Sequence, residues 1–154
     1  MELKVQFDGS LLSEYEKRGS SKLFGIWWTF GRTAYPEEGW LDFGAVILGW
    51  WIVALMKLLA GEPRVELLFM DGPFALSVQR QPNGKEVLVT TKDGEASGIY
   101  RYSDLAQAVL RAANATCREF LAANVAVAER AALEADMHAL KRAMLASAAS
   151  DNPQ

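Results

Sequence analysis

Chemistry in this chain would have to come from very few side chains. Of its 154 residues one is a histidine, His138, and one a cysteine, Cys117. A Ser-His or Cys-His nucleophilic pair would have to use His138, because a hydroxyl or thiol needs a neighbouring base to activate it. His138 stands between Met137 and Ala139 in an Ala-rich stretch, with Glu134 and Arg142 at helical spacing; it reads as a solvated surface histidine. Cys117, near Phe120, reads as a buried, inert thiol. A structural zinc needs several such ligands, so no metal is expected. No Gly-rich loop with a lysine follows a strand, so neither a phosphate cradle nor a cofactor is expected.

The carboxylates offer more. Glu37, Glu38 and Asp42 gather beside Tyr35 and Trp40, and paired acids can serve as general acid and base. Each also has a plainer reading. Glu37-Glu38 before a turn is a solvated loop, and Asp42 is placed to cap a following helix. The chain is therefore expected to offer binding surfaces and not to be an enzyme.

Composition sets the frame. The hydrophobic share is 51% and the charged share 23%, enough apolar material for a full core and too little charge for a disordered chain. Length fits a single domain over residues 1–154. The net charge of −3 argues against nucleic acid, which needs clustered Lys and Arg. One cysteine forbids an internal disulfide, and the first ten residues lack an apolar run, so a cytoplasmic setting is expected. The stretch Phe43–Ala60 is almost wholly apolar, with Lys57 its one charge. It would reach roughly 27 Å as a helix, a little short of a bilayer core, and no Lys/Arg cluster flanks it. It is expected to be a core helix, with no membrane partner.

The elements that must position these residues follow from periodicity. Leu3, Val5 and Phe7 alternate with polar residues as a half-buried strand. Gly9–Ser21 reads as a loop with a turn of helix around Ser13–Lys17, and Leu23–Phe30 as a second strand. Gly31–Asp42 is expected to be a loop, ahead of the helix Phe43–Ala60. Strands are predicted over Arg64–Met70, Phe74–Arg80, Lys85–Thr91 and about Ala96–Arg101. The turns at Asp71-Gly72-Pro73, Asn83-Gly84 and Asp93-Gly94 force antiparallel pairing. Ser103 is placed as a helix N-cap, and from there to Ala149 no Gly or Pro appears. A break near Asn124–Glu129 divides that stretch, and a frayed tail begins at about residue 150. The fold class is α+β: an antiparallel meander sheet of about six strands, one apolar helix after strand 2, and Ala-rich C-terminal helices packed on one face.

Adjacent aromatics add a surface argument. Trp27 and Trp28 on a strand must face opposite ways, and Trp50 and Trp51 on a helix stand about 100° apart. Most of these rings build the core, while Tyr35 and Trp40 are candidates for interface anchors.

The run Trp27-Trp28-Thr29-Phe30-Gly31, then Tyr35-Pro36-Glu37-Glu38-Gly39-Trp40-Leu41-Asp42-Phe43, the apolar helix with Trp50-Trp51, and Phe69-Met70-Asp71-Gly72-Pro73-Phe74 resembles small bacterial immunity proteins. These are antidotes encoded beside polymorphic toxins, including those of contact-dependent growth inhibition. The resemblance covers about the first half of the chain and is a pattern of aromatics and turns. It implies a small cytosolic protein that binds one cognate toxin domain, often a nuclease with a basic surface. The partner-binding residues it points to are Tyr35, Glu37, Glu38, Trp40, Asp42, Asp71, Asp93 and Glu95. The acids would steer encounter and an aromatic such as Trp40 would hold the complex. Two other readings stay open: a bacterial secretion chaperone for an extended effector segment, and a small carboxylate-dependent enzyme.

Overall fold

The computed structural model describes residues 1–151. In chain order the elements are β1 (Glu2–Gln6), α1 (Gly9–Lys17), β2 (Phe24–Phe30), β3 (Thr33–Tyr35), β4 (Leu41–Asp42), α2 (Gly44–Leu59), β5 (Arg64–Leu68), β6 (Ala75–Arg80), β7 (Glu86–Thr91), β8 (Ser97–Arg101), α3 (Tyr102–Ala123) and α4 (Val127–Ser150). The α+β class expected from the sequence is what forms. The single sheet of about six strands is not.

The strands make two antiparallel sheets of four. In the first, β2 is central. It pairs with β1 along one edge (Leu3 opposite Trp28, Val5 opposite Ile26). Its other edge is shared, with β3 on the C-terminal half and β4 on the N-terminal half. Gly31, at φ +62°, turns the chain between Phe30 and its partner Thr33. The expected Gly31–Asp42 loop therefore carries two short strands. The second sheet is the predicted meander, β5-β6-β7-β8, in neighbour order. Between the sheets in sequence lies α2, whose nine buried positions include Ile47, Leu48, Trp51, Ile52 and Leu55. It packs on β2, on β5 and on both later helices, so one apolar helix separates what a continuous meander would have joined.

A single buried apolar cluster runs from Leu12 through Phe24, Trp28, Trp51, Leu76 and Val109 to Leu140. Trp28 faces inward and is fully buried, against Trp51 at 5.7 Å between ring centroids. Trp27 points the other way and is half-buried over Gly25. No helix among the described residues is long and apolar enough to cross a membrane.

Three further expectations change at helix ends. Gly9–Lys17 is helical because Asp8 caps it: its Oδ1 accepts the N–H groups of Ser10 and Leu11 at 2.9 and 3.2 Å. Helix α3 begins at Tyr102, ahead of the predicted Ser103 cap, because Lys85 O holds the Tyr102 N–H at 2.9 Å where β8 ends. The break between the last two helices falls where predicted, with Asn124 and Ala126 both left-handed, at φ 54° and 53°. Glu16 of α1 secures this elbow, accepting the Ala126 N–H at 3.1 Å. Lys22, almost wholly buried, bridges Glu16 at 2.8 Å and Glu129 at 3.4 Å. Helix α4 continues through Ser150; the rest of the expected tail, past Asp151, lies outside the described residues.

Candidate functional site: a loop end built on four aromatic rings

Three loops carry the acids singled out in the sequence, and the fold ties all three to one cluster of rings. Tyr35 ends β3 and is buried. Its ring stands edge-on to Phe69 and Phe74, with centroids at 6.1 and 5.9 Å. Its hydroxyl accepts the Ala75 N–H at 2.9 Å, and burial raises its pKa above the ordinary value. Trp40 closes the group, edge-on to Phe74 with centroids 4.9 Å apart. Edge-to-face pairs of this kind fix ring orientation beyond what burial alone does.

Asp42 anchors the loops. Pairing with Phe24 across the sheet carries it fully inside. Its Oδ1 accepts the Phe43 N–H at 2.7 Å, and its Oδ2 accepts the Asp71 N–H at 3.1 Å and Trp40 Nε1–H at 3.2 Å. The helix cap expected of Asp42 does not form in the usual way, since Phe43 occupies the N-cap position. The carboxylate instead braces the chain just before α2 and draws the Asp71–Pro73 turn onto the Trp40 ring. Gly72, at φ +80°, sits so close that a β-carbon there would meet Phe74 at 2.8 Å.

The third loop joins through Tyr35. The Lys92 N–H donates to Ala75 O at 3.0 Å, and Asp93 lies near enough to contribute to the raised Tyr35 pKa. Asp93 Oδ1 accepts the Thr91 hydroxyl at 2.6 Å and the Glu95 N–H at 3.0 Å. The Thr91 bond, foremost, holds its carboxyl below the usual range.

Of the eight residues proposed as contacts, Glu37, Glu38, Asp71, Asp93 and Glu95 are exposed and Trp40 is half-buried. Tyr35 and Asp42 are buried, and their hydrogen bonds support the loops that carry the exposed residues. Two residues at this end escaped the sequence reading: Leu41, 47% exposed, and Met70, 39% exposed. Strand alternation could have found Leu41 only with Asp42 already placed inward.

Elsewhere, His138 is exposed and Cys117 is buried, its thiol pushed up to about 11 by desolvation. A groove of ≈ 1020 Å³ near the ends of α2 and α4 mixes Arg80, Lys85 and Arg101 with Glu86 and Asp151. Among the described residues no three His, Cys, Asp or Glu side chains are grouped to hold a metal ion. No family model, no curated protein and no solved structure matches this chain.

Proposed function

We propose that this chain is an immunity protein that binds a cognate toxin domain and neutralises it by covering a functional surface. One observation carries the reading: exposed apolar side chains, Leu41 and Met70, and the half-exposed Trp40 share a braced loop end with the exposed carboxylates of Glu37, Glu38 and Asp71. An aromatic and aliphatic centre with a charged rim is the usual anatomy of a tight protein interface. The hydrogen bonds of Asp42 and the ring contacts of Phe74 hold this end in place before any partner arrives, so little ordering is left to oppose binding. Acids on the rim suit a basic partner, as a nuclease domain would be, and speed its approach.

The test is direct. The purified protein is mixed with the C-terminal toxin domain encoded immediately upstream of its gene, and complex formation and toxin activity are followed together. A stable complex with loss of toxicity is expected, and Trp40→Ala should weaken it by about 30-fold. No complex, or a complex that leaves the toxin active, would refute the reading.

A further inference from the structure

Helix α1 is thinly seated. Of its nine residues only Leu12 is buried, with Leu11 and Tyr15 half-buried. A helix this short does not hold its shape alone, so its ties to the rest of the chain decide whether it stays in place. Besides Leu12 those ties are one ring and two charged side chains. The Tyr15 ring stands edge-on to Phe43, with centroids 6.4 Å apart, at the head of α2. Glu16 Oε2 accepts the Ala126 N–H at 3.1 Å and pairs with Lys22 Nζ at 2.8 Å. Lys22 also donates to Ser20 O and reaches Glu129 Oε1 at 3.4 Å.

The elbow between α3 and α4 depends on the same side chains. Asn124 and Ala126 both hold a left-handed conformation, which is unfavourable for a residue that carries a β-carbon. Ala126 occupies the N-cap of α4, yet it has no side-chain oxygen to take an orphan N–H of the first turn. Its own N–H finds an acceptor on another element, in Glu16. Glu129, in that first turn, meets Lys22. Departure of α1 therefore strips a strained backbone group and a first-turn carboxylate of their partners together. The remainder of the two helices is held by core residues, among them Val109, Leu133 and Leu140.

We propose that residues 9–22 form a strap that opens as one unit, and that the α3–α4 elbow loosens with it while both sheets and α2 stay closed. Segments with few buried apolar side chains and exposed backbone hydrogen bonds are the ones that open below the free energy of global unfolding. The strap grips the molecule at two places, Phe43 at the head of α2 and Ala126 at the elbow, so its release frees both. This conformational device is independent of the toxin-binding reading.

The experiment is native-state hydrogen exchange on the full chain at constant pH, read residue by residue by NMR with intrinsic rates divided out. In the strap, the Leu12 and Arg18 amides donate to Asp8 O and Glu14 O; in the elbow, Ala126 donates to Glu16 and Arg130 to Ala126 O. These four are expected to exchange through one opening, about 100-fold more often than Val78 and Val89 in the meander. Asp8→Ala removes the N-cap of α1, on a residue that touches nothing in the elbow's hydrogen bonds. It should speed all four amides by about 5-fold and leave Val78 and Val89 unchanged. Glu16→Ala should do the same by about 10-fold; alanine is the better helix former, so faster exchange in α1 cannot then come from helix propensity. Thermal melts check that each variant folds. If the four amides exchange only as slowly as Val78 and Val89, the strap does not open by itself and the proposal falls. If Asp8→Ala speeds Leu12 and Arg18 but leaves Ala126 and Arg130 at the wild-type rate, the elbow is independent of α1 and the proposal falls as well.

Discussion

Asp42 Oδ2 accepts the backbone N–H of Asp71 at 3.1 Å, across 29 residues of sequence. The same oxygen takes the Trp40 indole and its twin takes Phe43 N–H, so one buried carboxylate serves three donors in two loops. Asp42→Ala leaves all three without a partner and should cost about 3 kcal/mol. Asp42→Asn keeps the shape but turns an amide donor toward one of these N–H groups, and should cost about 2 kcal/mol. Urea denaturation measures both through the midpoint at constant slope. Variants as stable as wild type would show that Asp42 does not brace the loops.

Two glycines, each opening a helix, contrast a closed site on α2 with an open one on α1. A β-carbon on Gly44 would fall 2.0 Å from Phe24 Cζ. The Phe24 ring is held by Phe7 at 4.7 Å and Phe120 at 6.0 Å, so it has no free direction in which to move. Gly44→Ala should therefore cost about 3 kcal/mol or more. Gly9, at the start of α1, has nothing within 4 Å of that position. Gly9→Ala should gain about 0.5 kcal/mol by narrowing the unfolded ensemble. Opposite shifts in melting temperature are the expected result, and a shift of the same sign would defeat it.

The parts of the fold legible in the sequence are those set by local rules. Asn83-Gly84 and Asp93-Gly94 turn the meander where expected, with Gly84 and Gly94 at φ 74° and 77° and Asn83 Oδ1 accepting the Lys85 and Glu86 N–H groups. The break at Asn124 was readable because helical pattern alone could not sustain so long a run. What escaped was tertiary. Nothing local says that β2 shares one edge between residues 33–35 and 41–42, and that sharing is what splits the strands into two sheets. For the site, the aromatic and acidic types were visible, but Asp42 looked like one acid among several until its pairing with Phe24 carried it inside. Likewise Trp50 and Trp51 are alike in sequence, and only the contact of Trp51 with Leu68 decides which of them is exposed.

The single thiol gives a probe of global opening. Burial, and the nearby Glu134 carboxylate after it, push Cys117 up to about 11. Its sulfur lies 4.0 Å from Arg130 O, between α3 and α4. Since only the thiolate reacts, labelling by an aromatic disulfide at pH 8 should be about 100-fold slower in the native protein than in guanidinium. Equal rates would mean that the two helices part readily.

Two carboxylates should give stability opposite dependences on pH. The Lys22 hydrogen bond, and then the Ala126 N–H, hold Glu16 below its ordinary value of 4.5. Its contribution is present above 4.5 and is lost as pH falls through the lower folded value. Glu16→Gln should therefore melt below wild type at pH 7, with the gap closing in acid. Asp136 is the reverse case: burial raises it above 3.8, so its ionised form opposes folding near neutrality. Asp136→Asn should melt above wild type at pH 7, and the advantage should vanish below 3.8, where the acid is protonated in both states. Melting curves of both variants from pH 3 to 8 decide the matter. An Asp136→Asn advantage that persisted in acid would trace to packing against Gly49, and would count against an unpaired charge at the edge of α2.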